Sequence, residues 1–237
     1  MNRTARFGAC AALLVLGLGG CGLVSSDVAD FNLALPEKKF AVDASSWNVD
    51  TAAAGAYFNT TCSAMPNACG QAAAAVCKAA SCAGVCGAST QKCALQLSVN
   101  AVQPIDLVTE KPELKSINDQ PVIKVTIDSV KYAVLANTMT ADVPELTVYI
   151  APATVKSPAD PAAKPIGKIP TIKAGQTVAA SNLIFTATGK ADLVTAMSTF
   201  KTPFNVLVGS TLEITTTQQV PMGKLDASVQ ITAHAGL

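Results

Sequence analysis

The stretch Ala94-Leu95-Gln96-Leu97-Ser98-Val99-Asn100-Ala101 decides the fold. Leu95, Leu97, Val99 and Ala101 alternate with Gln96, Ser98 and Asn100. Side chains point to opposite faces along a strand, so this period buries the aliphatic groups and leaves the amides and hydroxyl outside. The same period recurs outward. Ile123, Val125 and Ile127 alternate with Lys124, Thr126 and Asp128. At Asp128-Ser129 the phase slips, and Val130, Tyr132 and Val134 continue with the other parity. One extra residue between two alternating runs predicts a β-bulge. Residues 39–44, Leu146/Val148/Ile150, Leu183-Ile184-Phe185, 204–214 and 223–233 supply further strands, about eight in all.

One amphipathic helix interrupts the late strands. Thr188 stands where a cap belongs and Asp192 in the first turn, and Leu193, Val194, Met197 and Phe200 share one face. Pro203 ends it. Strands and helices do not alternate, which excludes a parallel doubly wound sheet. The predicted fold is mainly β: an antiparallel β-sandwich with one amphipathic helix and a small Ala/Cys-rich helical disulfide insert. The placement of one helix between late strands resembles late-embryogenesis-abundant-type and immunoglobulin-like sandwiches. No motif carries that likeness, so it transfers no function. Pro152, Pro158, Pro161, Pro165 and Pro170 predict an exposed loop over residues 151–170. Ala174-Gly175-Gln176-Thr177 reads as a turn, and residues 109–120 as a charged connector with one helical turn after Pro112.

The insert, residues 58–93, holds Cys62, Cys69, Cys77, Cys82, Cys86 and Cys93. Residues 72–80 read as a short helix on alanine propensity, and Gly84 and Gly87 as breakers after it. The segment has no Cys-x-x-Cys pair and no histidine, which disfavours zinc, iron–sulfur and thioredoxin-like chemistry. Six cysteines predict three structural disulfides, with fifteen connectivities open. Alanine-rich sequence buries little apolar area, so such a unit depends on cross-links. The insert is therefore expected to be separable from the sandwich.

Export is read from the leader. Asn2-Arg3-Thr4-Ala5-Arg6 precedes an apolar run over residues 7–18, too short to span a bilayer. The ending Leu18-Gly19-Gly20-Cys21 resembles the lipobox of bacterial lipoproteins. The resemblance implies cleavage before Cys21 and lipidation of its thiol. An ordinary secretory signal is the alternative, but it would leave Cys21 an odd thiol beside six that pair completely. Gly22-Leu23 lacks the Asp that holds enterobacterial lipoproteins at the inner membrane, so the resemblance implies the outer membrane of a Gram-negative bacterium. Domain boundaries follow: signal peptide 1–20, lipidated tether 21–36, and sandwich domain 37–237. Phe31, Leu33 and Leu35 alternate within the tether, so part of it is a candidate to pair with the sheet.

Composition narrows the function. Both arginines, Arg3 and Arg6, lie in the leader, leaving fifteen lysines against sixteen acidic residues, a net charge of −1. A chain without guanidinium groups or lysine clusters lacks the usual readers of phosphate, which disfavours nucleic acid. His234 is the single histidine, on the polar side of the last strand. A Ser-His-Asp set would rest on it alone, and a multi-histidine metal site is excluded within one chain. Asp119, Asp128, Asp142, Glu145 and Asp160 show no diagnostic spacing, although Asp142 and Glu145 are the nearest calcium candidates. The expected function is a non-catalytic binding or structural module, without cofactor or metal, whose membrane contact is its lipid and whose protein or envelope partner is open. A carrier of a hydrophobic ligand between the sheets is the alternative, and an enzyme the third reading.

Overall fold

The computed structural model describes residues 31–62, 67–116, 123–216 and 218–236. The strands are β1 (Phe31–Asn32), β2 (Lys38–Asp43), β3 (Cys82–Cys86), β4 (Cys93–Ile105), β5 (Lys124–Asn137), β6 (Leu146–Pro152), β7 (Lys164–Ile169), β8 (Val178–Asn182), β9 (Ile184–Phe185), β10 (Phe204–Ile214) and β11 (Lys224–Gly236). The helices are α1 (Thr51–Phe58), α2 (Ala68–Ala73), α3 (Leu107–Glu110) and α4 (Gly189–Ser198). They form the antiparallel sandwich that the alternation predicts. One sheet runs β1-β11-β5-β8, with β2 also on β11; the other runs β3-β4-β10-β6-β7-β9.

The stretch at 94–101 lies in β4, the second strand from one edge of the second sheet. β4 and β10 pair without a shift from Phe204↔Ile105 to Ile214↔Leu95. Leu95 and Leu97 are fully buried on the inner face, and Leu212 and Ile214 join them in the core. Each such aliphatic side chain removed from water contributes about 1.5–3 kcal/mol. The predicted bulge is present. Thr232 pairs with Ser129 and Ala233 with Ile127, so Asp128 is the extra residue. A second bulge leaves Leu135 unpaired and half exposed, since Ala227 faces Val134 and Asp226 faces Ala136.

Several elements differ from expectation. β7 lies inside the proline-rich stretch. Pro165 is tolerated near the strand's start, beside a register shift where Val148 faces Gly167 and Tyr149 faces Pro165. On its other side β7 meets only Ile184 and Phe185, so the missing N–H of Pro165 interrupts no ladder there. β8 carries no apolar alternation, being an edge strand of small and polar residues. Within the expected tether, the Leu33 and Leu35 amides donate to the Ala233 and Ile231 carbonyls at 2.8 and 2.9 Å. Both side chains are buried, so the chain is docked on β11 from residue 31 onward. Thr188 holds the N-cap position of α4 but makes no capping bond to the backbone. Its hydroxyl instead bonds the Asp192 carboxylate, with Lys164 the next partner, and both hold that group below its usual pKa. Leu193, Met197 and Phe200 are buried as the helical stripe predicts.

The cysteine-rich segment is woven into the sandwich. α2 ends at Ala73, well short of residue 80, because the chain must turn to place Cys77 opposite Val49 in a bridge. Alanine propensity amounts to tenths of a kcal/mol per residue and yields to such tertiary contacts. Gly84, expected as a breaker, sits within β3. A Cβ there would meet the Cys69 carbonyl oxygen at 2.2 Å and the Tyr57 hydroxyl at 2.5 Å, so glycine lets α2 press against the strand. Tyr57, Phe58, Cys62, Cys69, Ala73 and Val76 belong to the same core as the sheets, so the segment packs into the sandwich core.

Candidate functional site

The six cysteines form three cystines: Cys62–Cys86, Cys69–Cys93 and Cys77–Cys82, with Cα separations of 5.8, 5.3 and 5.7 Å. Cys86 and Cys93 face each other in the β3–β4 ladder, and each bridges away from it, to Cys62 and Cys69. The sulfurs of Cys62, Cys69 and Cys93 lie within 4.8 Å of one another and are buried. All three are spent in disulfides, so this group offers no thiolate to a metal. Two of the cystines fasten Cys62, after α1, and Cys69, in α2, to the hairpin. The Tyr57 hydroxyl completes the joint, donating to the Ala94 carbonyl at 3.0 Å with the Cys69 carbonyl at 3.3 Å. Burial pushes its pKa up to about 12. Cys21, the expected lipidation site, lies outside the described residues, as does Asp119.

The remaining candidate side chains are dispersed. His234 Nδ1 pairs with Asp128 Oδ1 at 2.9 Å on the outer face of the first sheet, both half exposed. The bulge at Asp128 brings that carboxylate to the histidine. Asp142 accepts from Lys173 Nζ at 2.8 Å and from the Ala174 amide at 2.9 Å. The lysine bond is the first cause holding its carboxyl below the usual range. Glu145 pairs with Lys168 at 2.6 Å, and Asp160 accepts from the Ala162 amide at 2.8 Å. Asp142 and Glu145 are thus each committed to a lysine rather than to a shared ligand.

A cleft of about 730 Å³ lies on the solvent face of the second sheet. Register builds its floor. Ser98 is paired with Thr211, Asn100 with Gly209, and Gly209 with Thr147, all projecting outward. Tyr149 stands next along β6. Ala80 and Ser81 form one wall, where the Ser98 amide donates to the Ser81 carbonyl at 2.7 Å. Ser157, Pro158 and Ala159 form the other. A smaller recess of about 240 Å³ continues past Ser98 and Asn100 toward Asp43 and Trp47, whose indole N–H donates to the Ser98 carbonyl at 2.9 Å.

The second wall is held at three places. Asn205, fully buried within β10, donates from Nδ2 to the carbonyls of Ala153 and Val155 at 3.0 and 2.7 Å. Asn100 Nδ2 donates to the Lys156 carbonyl at 3.2 Å. Pro158 fills the space above Gly209, where a Cβ would stand 2.6 Å from its ring. The loop also covers the outer face of β10, which is why Leu207 is fully buried although it points away from the core. The sequence carried two signs of this wall. Val206-Leu207-Val208 is continuous rather than alternating, the mark of a strand covered on both faces, and Asn205 is an amide between Phe204 and that apolar run.

Glu145, with its lysine partner, is the one carboxylate among the described residues lining the cleft. The rest of the lining is hydroxyl, amide, small aliphatic groups, one phenol and one proline. No family model, curated protein or solved structure matches this chain.

Proposed function

We propose that the protein is a non-catalytic binding module of the bacterial envelope, held to the outer membrane by lipid on Cys21, with the cleft over β4, β10 and β6 as its binding surface. The observation that carries this is the wall at residues 153–159. A loop fastened by a buried amide, a second amide and a proline seated on a glycine is a preorganised side to a polar cleft. A lone lysine-paired carboxylate there supports binding over hydrolysis, since a glycosidase needs two facing carboxyl groups. The space between the sheets is lined by fully buried aliphatic side chains such as Leu97, Leu146 and Leu225, which supports this reading over a lipid carrier.

Two measurements test it. Cys21→Ser should release the protein from membranes, and fatty-acid labelling should be lost; persistent labelling would refute the anchor. A photo-crosslinking residue at Thr211, on the cleft floor, should form adducts in intact cells, whereas one at exposed Lys131 on the opposite sheet should not. Adducts at neither position, or equally at both, would refute the cleft as the binding surface.

A further inference from the structure

We infer that the ligand of this cleft is an uncharged, hydroxyl-rich chain, an oligosaccharide; this rests on the cleft being the binding surface. Three features of the site single out that chemistry. The first is charge. Among the described residues lining the cleft none is a cation; of the lysines beside it, Lys168 is engaged by Glu145 at 2.6 Å, and Lys156 of the wall meets the site through its carbonyl, which accepts from Asn100. A phosphate or carboxylate ligand would lose its hydration without a charged partner in return. The second is the floor. It is built from the side chains of Ser98, Asn100, Thr147 and Thr211, short donors and acceptors spaced across three adjacent strands. Strands stand about 4.8 Å apart, so this array is about 10 Å wide, room for more than one sugar ring. An acyl chain entering it would strand those polar groups without partners.

The third feature separates a saccharide from a peptide. An extended peptide is usually held by main-chain bonds along a sheet edge. The centre of this floor is β10, whose backbone is paired on both sides, with β4 and with β6. Strand addition at β10 is therefore closed, and recognition over it falls to side chains. Tyr149 and Pro158 supply the complementary element. Both lie against the Gly209 position, the Tyr149 ring 3.6 Å and the Pro158 ring 2.6 Å from where its Cβ would be. They place an aromatic and an apolar surface beside a row of hydroxyls. A pyranose presents the same pairing, with C–H groups on its faces and hydroxyls around its rim.

The test is titration of the full-length protein, purified in detergent, with the tetrasaccharides of β-linked N-acetylglucosamine, β-linked glucose and mannose, followed by amide chemical shifts and calorimetry. At least one should bind with Kd on the order of 0.1–1 mM and perturb residues 98–100, 147–149 and 209–211. Tyr149 lies outside the hydrophobic core, so Tyr149→Ala should keep the wild-type circular dichroism and bind about tenfold more weakly. Tyr149→Phe, which keeps the ring, should stay within about threefold. Thr211→Arg, which fills the floor from an exposed position, should abolish binding. Unchanged affinity in Tyr149→Ala would overturn the inference, as would the absence of any cleft perturbation by all three saccharides. A Ser/Asn-rich decapeptide or phosphatidylglycerol vesicles perturbing the cleft in their place would also overturn it, while leaving the cleft as the binding surface. Failure of the Thr211 crosslink in cells would instead remove the surface itself.

Discussion

Replacing Asn205 tests whether one buried amide holds the cleft wall. Its Nδ2 donates to the Ala153 and Val155 carbonyls, and its Oδ1 is buried without a protein partner. Asn205→Ala removes two hydrogen bonds, each worth about 0.5–1.5 kcal/mol net. It also removes the unpartnered acceptor, which returns part of that loss, and exposed Ala153 can take its bond from water. We expect a net destabilisation of about 1–2 kcal/mol, a fall in Tm of about 2–8 °C for a domain of this size. The local effect should be clearer than the global one. The same free energy removed from loop closure raises the open population about five- to thirtyfold. Lys156 lies in that loop and is followed by Ser157, so trypsin reads the opening directly. Cleavage after Lys156 should accelerate by that factor while the other lysines keep their wild-type rates. Asn205→Asp keeps the shape but sets an oxygen against two carbonyl oxygens. Its folded pKa would be raised, so its penalty is present at neutral pH and shrinks as pH falls through that raised value, where the protonated carboxyl can donate. If Asn205→Ala is cut after Lys156 at the wild-type rate, Asn205 does not hold the wall.

The cystines should differ in value by loop length. Cys62–Cys86 and Cys69–Cys93 each join residues 24 apart, and Cys77–Cys82 residues 5 apart. Chain entropy assigns about 3.5 kcal/mol to each long loop and about 2 kcal/mol to the short one. Urea unfolding should therefore rank Cys77→Ala/Cys82→Ala above Cys69→Ala/Cys93→Ala in stability; the reverse order would refute the loop-length account. Tyr57 contributes a base limit: its pKa is raised to about 12, so its share of stability is full below about pH 10 and is lost as pH rises through 12. Tyr57→Phe should lose about 1 kcal/mol at neutral pH but lose less than wild type across that window, which Tm against pH will show. Deleting residues 58–93 removes β3 and core groups including Phe58 and Cys69, so the variant should lack a cooperative thermal transition; a retained transition would restore the segment as a separable insert.

How much was legible in the sequence depends on how local each signal is. Alternation along one strand is written into consecutive residues. It therefore located β4 and β11, and the parity slip at Asp128 located the bulge in β5. The stripe Leu193/Met197/Phe200 located the buried face of α4 in the same way. Even disulfide formation was countable, because six cysteines crowd one segment. Their pairing was not, since it depends on Cys86 and Cys93 meeting across a hairpin while Cys62 and Cys69 arrive from elsewhere. β7 and β8 escaped because small, polar and proline residues give no period; neighbouring strands fix them as strands. The cleft lay furthest from view. Ser98 and Asn100 read as an ordinary polar face, and the proline-rich stretch as loop. The tertiary structure decided that β10 lies between β4 and β6, that Gly209 faces Pro158, and that Asn205 lies beneath Ala153 and Val155. Burial of apolar faces sets the strands one by one, whereas a site needs side chains from several of them at once, and only their order and register bring those together.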